Sequence, residues 1–199
     1  MINKILNDEI IKSLMPVFKK HQVFIVGGYL RDLFFNKQST DRDLIVCDVS
    51  PSDFADEIVK YTEGTKVLLD SENEIFRVIL KDKVNYFDIT YPVEYDIVKD
   101  IKRRDFTINS LFFDLTNEEF FDPFNFKFDI ENKIIRTYDL KNLEDDPLRL
   151  LRAYRFKSNY DFQIEENISN FIKENGNLIK NVAYERINYE IIKMFEGDF

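Results

Sequence analysis

The chain opens on a helical rhythm of apolar positions. Ile5, Leu6, Ile10, Leu14, Val17 and Phe18 recur at three- and four-residue spacing, which predicts one amphipathic helix over residues 3–20. Next comes a short apolar strand, 23–26, stopped by Gly27-Gly28, with a helix over 29–35 directly behind it. A second apolar strand is expected at 43–47, and a helix over 51–61 begun by Ser50-Pro51. Two more strands, 75–80 and 84–90, flank Lys81-Asp82-Lys83 and read as a hairpin. After residue 110 the pattern loosens into turn-rich sequence with short strands. From Asp146 it is helical again, over 147–156, about 165–174, and 184–195. This order predicts an α/β head with a mixed sheet over residues 1–138, followed by a small all-α neck over 139–199.

Composition narrows the class. The 199 residues are 44% hydrophobic and 33% charged, an ordinary globular balance. No run of eighteen apolar residues occurs, so no membrane partner is expected, and the charged N-terminus does not read as a signal peptide. One cysteine, Cys47, excludes a disulfide or a cysteine-built zinc site within a single chain, so the cytoplasm is the default. The net charge of −9 opposes a polyphosphate backbone at long range. Any RNA binding must therefore come from local basic patches or from a partner.

The chemistry-bearing residues begin with Asp41 and Asp43. Two apart at the start of a strand, they share one face, while Leu44 and Val46 turn into the core. Paired carboxylates suit Mg²⁺, although an acidic turn entering a strand is the commoner use of such a pair. Upstream, FIVGGYLRD places paired glycines between strand and helix, where backbone N–H groups can approach a triphosphate. Arg31 adds a cation one turn on, and Asp32 is suited to orienting it. The segment KRRDFTIN, residues 102–109, is the densest basic spot in the chain. It reads either as a solvated basic turn or as offering Arg104 as a phosphate clamp and Asp105 for a hydrogen-bonding role or as a third carboxylate, with Asp88 in NYFDIT as the rival third acid.

Asp146-Pro147 is a strong helix start, and Arg149, Arg152 and Arg155 follow at three-residue steps along one side. Such a stripe is usually a solvated face. A carboxylate one turn from a guanidinium nonetheless offers an acceptor and a donor fork at fixed separation, which suits the edge of a base. His21 and Cys47 read as boundary and strand residues. Phe112, Phe113, Phe120 and Phe121 read as core more readily than as a stacking surface.

Taken in order, VGGYLRD, DRD, RRDFTIN and EDDPLRLLRAYRF, followed by YERINYEIIKMF, resemble the bacterial class II tRNA nucleotidyltransferase and poly(A) polymerase family over roughly residues 22–195. The resemblance implies a polymerase-beta-like head and attack of an RNA 3′-hydroxyl on a nucleotide α-phosphate with loss of pyrophosphate. The RNA is expected to be tRNA, with ATP, CTP or both as substrates and Mg²⁺ as cofactor. By matching positions, Asp41 and Asp43 would hold Mg²⁺, with Asp105 as a further catalytic acid. Gly28 and Arg31 would contact the nucleotide. Arg104, Arg152 and Arg155 would steady the triphosphate or the neck, and Asp146 with Arg149 would select C and A. Poly(A) synthesis is the enzyme alternative, and an idle nucleotide- or RNA-binding module is the non-enzyme one.

Three departures from the family pattern shape these expectations. The family continues into helical domains that grip tRNA, so a partner or homodimer is expected to supply that grip here. Only residues 91–102 separate the 84–90 strand from Arg103, as in enzymes that add CC alone. FDPFNFKFD also replaces a glycine-bearing turn.

Overall fold

A computed structural model describes residues 1–196; positions 197–199, the last three of the expected neck, lie outside the described residues. The elements run α1 (Ile2–Leu6), α2 (Glu9–Phe18), β1 (Val23–Val26), α3 (Gly28–Phe34), β2 (Asp41–Val46), α4 (Pro51–Thr62), β3 (Thr65–Asp70), β4 (Ile75–Ile79), β5 (Tyr86–Thr90), α5 (Ile97–Arg103), β6 (Phe112–Asp114) and β7 (Glu119–Phe121). They continue as α6 (Lys127–Glu131), β8 (Ile134–Ile135), α7 (Lys141–Asp145), α8 (Leu148–Tyr160), β9 (Gln163–Ile164), α9 (Glu166–Asn175) and α10 (Tyr184–Phe195). Among the described residues no helix is long and apolar enough to cross a membrane.

Two compact units result. The first is Met1–Ile101 with Leu111–Pro123, and the second is Lys102–Ser110 with Phe124–Phe199. The boundary thus differs from a single cut after residue 138. Hydrogen bonds tie Lys102–Ser110 into the second unit. The Asn142 amide donates to the carbonyls of Lys102 (2.7 Å) and Arg104 (3.0 Å), and the Thr107 N–H donates to the Arg136 carbonyl (2.8 Å). Segments far apart in sequence share a unit whenever their backbone groups satisfy one another.

In the first unit a seven-stranded mixed sheet runs in the order β3-β4-β5-β2-β1-β6-β7, with β2 and β5 parallel and every other pair antiparallel. Leu44, Val46, Val78, Phe87 and Ile89 are fully buried on one face of this sheet. Phe18 of α2 and Phe54 of α4 close over that face, with Phe18 meeting Phe54 and Phe87 at 6.2 Å between ring centroids. The parallel pair needs a crossover, which α4, β3 and β4 supply. Helix α4 starts as its sequence predicts, with Pro51 at its first turn and the Ser50 hydroxyl accepting from the Asp53 N–H.

Helices α5, α6 and α7 were not anticipated, nor was the parallel β8–β9 pair, which puts a short strand inside the neck expected to be all-α, and three further differences bear on the first unit. The helix expected over 3–20 is broken into α1 and α2, because Asp8 leaves helical backbone and caps α2, accepting from the N–H groups of Ile10 (3.0 Å) and Ile11 (3.1 Å). Strand β3 was not anticipated. It is an edge strand whose side chains are mostly exposed, so it carries no period-2 burial pattern. The expected strand at 43–47 begins two residues earlier, so Asp41 and Asp43 both belong to the sheet.

Asp8 also serves the sheet. Besides its cap, it accepts from the Tyr29 hydroxyl (2.9 Å) and from Arg42 Nη2 (2.8 Å), and Arg42 lies buried between Asp41 and Asp43. Burial works against ionisation of Asp8, but the Arg42 fork and the N–H donors outweigh it and hold the carboxyl below its ordinary value. This stability is therefore fully present above the unfolded carboxyl's value of about 3.9 and is lost as pH falls through the lower folded value. Asp8→Ala is expected to remove a cap and strip the buried Arg42 guanidinium of its carboxylate, leaving it the Asn85 amide oxygen. Urea denaturation should show a loss of about 3 kcal/mol, largest above pH 5 and shrinking in acid.

Candidate active site

Register builds the site. In the parallel β2–β5 ladder Asp41 stands opposite Tyr86 and Asp43 opposite Asp88, and in the antiparallel β4–β5 ladder Arg77 stands opposite Asp88. Because side chains alternate, Asp43, Asp88 and Arg77 form a row across three strands, on the face opposite the apolar core. One oxygen from each of Asp41, Asp43 and Asp88 lies within 4.8 Å of the others. Oδ1 of Asp41 is buried without a hydrogen-bond partner, and burial followed by the Asp88 charge pushes its carboxyl above the ordinary value. Asp88 is gripped by Arg77, Nε to Oδ1 at 2.7 Å and Nη2 to Oδ2 at 2.6 Å. Three hard oxygen ligands, one of them orphaned, in a half-buried site with excess negative charge fit a divalent cation.

The Gly27-Gly28 turn lies at the same end of β2, since Val26 pairs with Asp43. Gly27 has φ 74°, in the left-handed region that glycine adopts freely. A side chain on Gly28 would come within 3.3 Å of Arg31 Nη2. Arg31 is buried and folds back over the turn, held by Asp32 Oδ1 at 2.7 Å from Nη2 and 3.0 Å from Nε. Asp32 thus orients Arg31, as the sequence suggested.

The other sequence candidates belong to the second unit. Asp105 is buried and accepts from Arg152 (Nε 2.8 Å, Nη2 2.6 Å), from the Asn109 amide (3.0 Å) and from the Phe106 N–H (2.7 Å). Burial raises its pKa, but the Arg152 charge and these donors prevail and the net direction is down. Asp88, not Asp105, completes the carboxylate cluster. The arginine stripe of α8 divides into separate contacts. Arg149 Nη1 donates to the carbonyls of Arg103 (3.0 Å) and Asn142 (2.9 Å), and burial lowers its pKa. Arg152 and Arg155 both reach Glu190 of α10, at 3.3 and 2.8 Å. Asp146 accepts from the Leu148 N–H (3.3 Å) and from Arg186 (2.9 Å). Arg104 Nη1 donates to the Asn109 carbonyl at 3.2 Å.

Arg77, Glu190 and Arg186 were missed by sequence reading. For Arg77 the available signal was an alternating strand pattern placing it beside Asp88 in the 75–90 hairpin; Glu190 and Arg186 lie within YERINYEIIKMF, read only as a motif. His21 sits at a boundary, 3.0 Å from Glu57 and edge-on to Phe54. Burial, then Asp48, pushes the Cys47 thiol up to about 11, so it is no thiolate nucleophile at neutral pH. Phe112 and Phe113 are fully buried, and Phe120 and Phe121 pack on Phe113 and Phe24 at 5.2 and 6.0 Å. These rings build core, not a stacking platform.

The mixed sheet is that of a polymerase-beta-like nucleotidyltransferase head. The family described as "Poly A polymerase head domain" matches residues 23–136, and that described as "Probable RNA and SrmB- binding site of polymerase A" matches 161–199. The chain is 33% identical to the CCA-adding enzyme of Lactobacillus helveticus, over 96% of this chain and 51% of that protein. It is 31% identical to the CC-adding tRNA nucleotidyltransferase of Geobacter sulfurreducens, over 92% of this chain and 43% of that one. The solved Thermotoga maritima CCA-adding enzyme in complex with tRNA is similar to it with a TM-score of 0.88 at 26% identity, over 100% of this chain and 50% of that one. The chain belongs to the poly(A) polymerase head-domain family. It spans about half the length of the curated relatives it matches.

Because the folded pKa of Asp41 is raised, its ionisation opposes folding, and stability falls as pH rises through that value. Asp41→Asn should therefore melt higher than wild type in metal-free buffer at pH 7, by roughly 2–4 °C for a gain of about 1 kcal/mol. Adding a divalent ion should raise the wild-type midpoint and leave that of the variant nearly unmoved. A scan in chelator and then in titrated Mg²⁺ reads both effects.

Proposed function

We propose that this chain catalyses template-independent transfer of CMP, AMP or both to the 3′ end of tRNA, releasing pyrophosphate, with Mg²⁺ held by Asp41, Asp43 and Asp88. The observation that carries this reading is the three-carboxylate cluster built by the β2–β5 register inside the segment that matches the family's head. When bound, Mg²⁺ lowers the pKa of the attacking hydroxyl and offsets charge developing on the phosphate. Asp41 and Asp43 provide the pair of ligands, and Asp88 is the third acid. Gly27 and Gly28 leave room for phosphate against the backbone, and Arg31, oriented by Asp32, supplies a cation beside it. Arg104 is assigned to phosphate as well.

Asp146 and Arg149 are assigned to the base edge, carboxylate accepting from an exocyclic amine and guanidinium donating to ring acceptors. The carbonyls of Arg103 and Asn142 support this role, because they fix the Arg149 head group in one orientation. Arg152 and Arg155 are assigned to structure, joining α8 to α10 through Glu190, and Asp105 to holding Arg152. Since the net charge is −9, a partner or a second copy is proposed to supply most of the grip on tRNA, and the cytoplasm is the proposed location.

Addition of CC alone is the reading favoured by the segment 91–102. Most of it is folded as a 3₁₀ turn, Val93–Tyr95, and as α5, which leaves little free loop. The Geobacter sulfurreducens relative is named as a CC-adding enzyme.

Incubating the chain with Mg²⁺, each labelled nucleoside triphosphate and tRNA lacking its CCA end should give a product longer by two cytidines. Poly(A) tails would favour the polymerase alternative, and no extension by the wild type even at tRNA concentrations high enough to offset weak binding would remove the enzyme reading. Asp43→Ala should abolish extension. Asp146→Ala or Arg149→Ala should lower discrimination between C and U by roughly ten- to a hundredfold, the scale of one lost hydrogen-bond partner on a buried base edge.

A further inference from the structure

We propose that Arg77 is a built-in cation of the carboxylate cluster, holding Asp88 where a second metal ion would otherwise sit, so that without nucleotide the site takes one divalent ion. The proposal rests on the metal reading of the cluster given above and concerns what that cluster accepts.

Three observations carry it. Arg77 is the register partner of Asp88, and its planar fork takes both carboxylate oxygens, at 2.7 and 2.6 Å. The same guanidinium lies over the Tyr86 ring at 4.0 Å from its centroid, and Tyr86 is the register partner of Asp41. Stacking on one side and a two-point grip on the other leave the head group little freedom. By contrast, Oδ1 of Asp41 in the same cluster is buried with no hydrogen-bond partner. One end of the cluster thus already carries an internal cation while the other retains an orphaned ligand atom.

Charge points the same way. Arg77 already brings one positive charge into direct contact with Asp88. A second divalent ion would have to share Asp88 with a group that stays protonated at any working pH. Arg77 is therefore a positioning residue: it fixes the plane of Asp88 and sets the number of ions that the empty site admits.

The test is Mn²⁺ binding to the whole chain without nucleotide or RNA, followed by electron paramagnetic resonance of the free ion. Wild type should bind one Mn²⁺ per chain at the cluster, and Asp43→Ala should lose it. Arg77→Met should bind Mn²⁺ at least roughly tenfold more tightly, the effect of removing a unit charge a few ångströms from a divalent ion. Arg77→Lys, which keeps the charge, should stay near wild-type affinity. Two ions on wild type, a measurement that no folding defect in a variant can disturb, would overturn the proposal. Unchanged affinity in a folded Arg77→Met would do the same while leaving the metal reading of the cluster intact. Absence of Mn²⁺ binding in wild type and Arg77→Met alike would overturn the metal reading itself.

Discussion

The in-register parallel pairing of β2 with β5 is the constraint on which the site depends. It sets Asp43 directly across from Asp88, an arrangement that a sheet normally avoids because like charges on facing positions repel. The sheet tolerates it for two reasons visible in the same strands. Leu44, Val46, Phe87 and Ile89 are fully buried on the opposite face, and their burial outweighs the repulsion. Arg77 then enters on β4 and returns a positive charge to the row. The parallel pair also dictates the chain path, since α4, β3 and β4 must intervene before β5 can lie alongside β2. The crossover that makes the pairing possible is thus the element that delivers Arg77.

The second unit solves a related problem with a different arrangement. Its charges are buried but alternate in sign, running from Asp105 to Arg152 to Glu190 to Arg155. Each carboxylate is met by a guanidinium, and Asp105 gains an amide and a backbone N–H as well. Such a chain favours ionised groups throughout, which is why the Asp105 pKa falls although the group is buried. The Asp41 carboxyl, with one oxygen buried and unpartnered and the Asp88 charge nearby, moves the other way. Two aspartates from the same family-like motifs are therefore distinguished by their neighbours: one is satisfied within the protein, and the other retains capacity for a ligand.

That distinction was not legible in the sequence. Asp105 follows three cations and Asp88 sits in an apolar strand, so local context alone made Asp105 the more chemical-looking acid. Only strand register decides which carboxylate stands beside Asp43, and register depends on a hairpin and a crossover rather than on neighbours in the chain. Elements with strong local signals were legible: β1 and α10 match residue for residue, and α4 carries its own start signal in Ser50-Pro51. What escaped was governed by distant partners. Asp8 breaks the first helix and caps α2 while gripping Arg42; β3 is an edge strand with no buried face; and residues 102–110 join the second unit through Asn142 and Arg136. The arginine stripe of α8 was legible as a stripe, but Glu190 and Arg186, which separate its members into different roles, lie some forty positions downstream (|i−j| of 38 from Arg152 and 40 from Asp146).

Stability and cation binding at the carboxylate row are two readings of one quantity. The burial that raises the Asp41 pKa, with the Asp88 charge behind it, is free energy held in the fold, and a cation arriving at the cluster recovers part of it. A fully neutralised row would make a firmer sheet with nothing to offer a metal, whereas a row without Arg77 would bind cations avidly and weaken the β2–β5 pair in their absence. Placing one guanidinium on the outermost carboxylate lies between these limits. It relieves the like-charge contact where Asp88 faces Asp43, and it leaves Oδ1 of Asp41 buried without a hydrogen-bond partner in the same row.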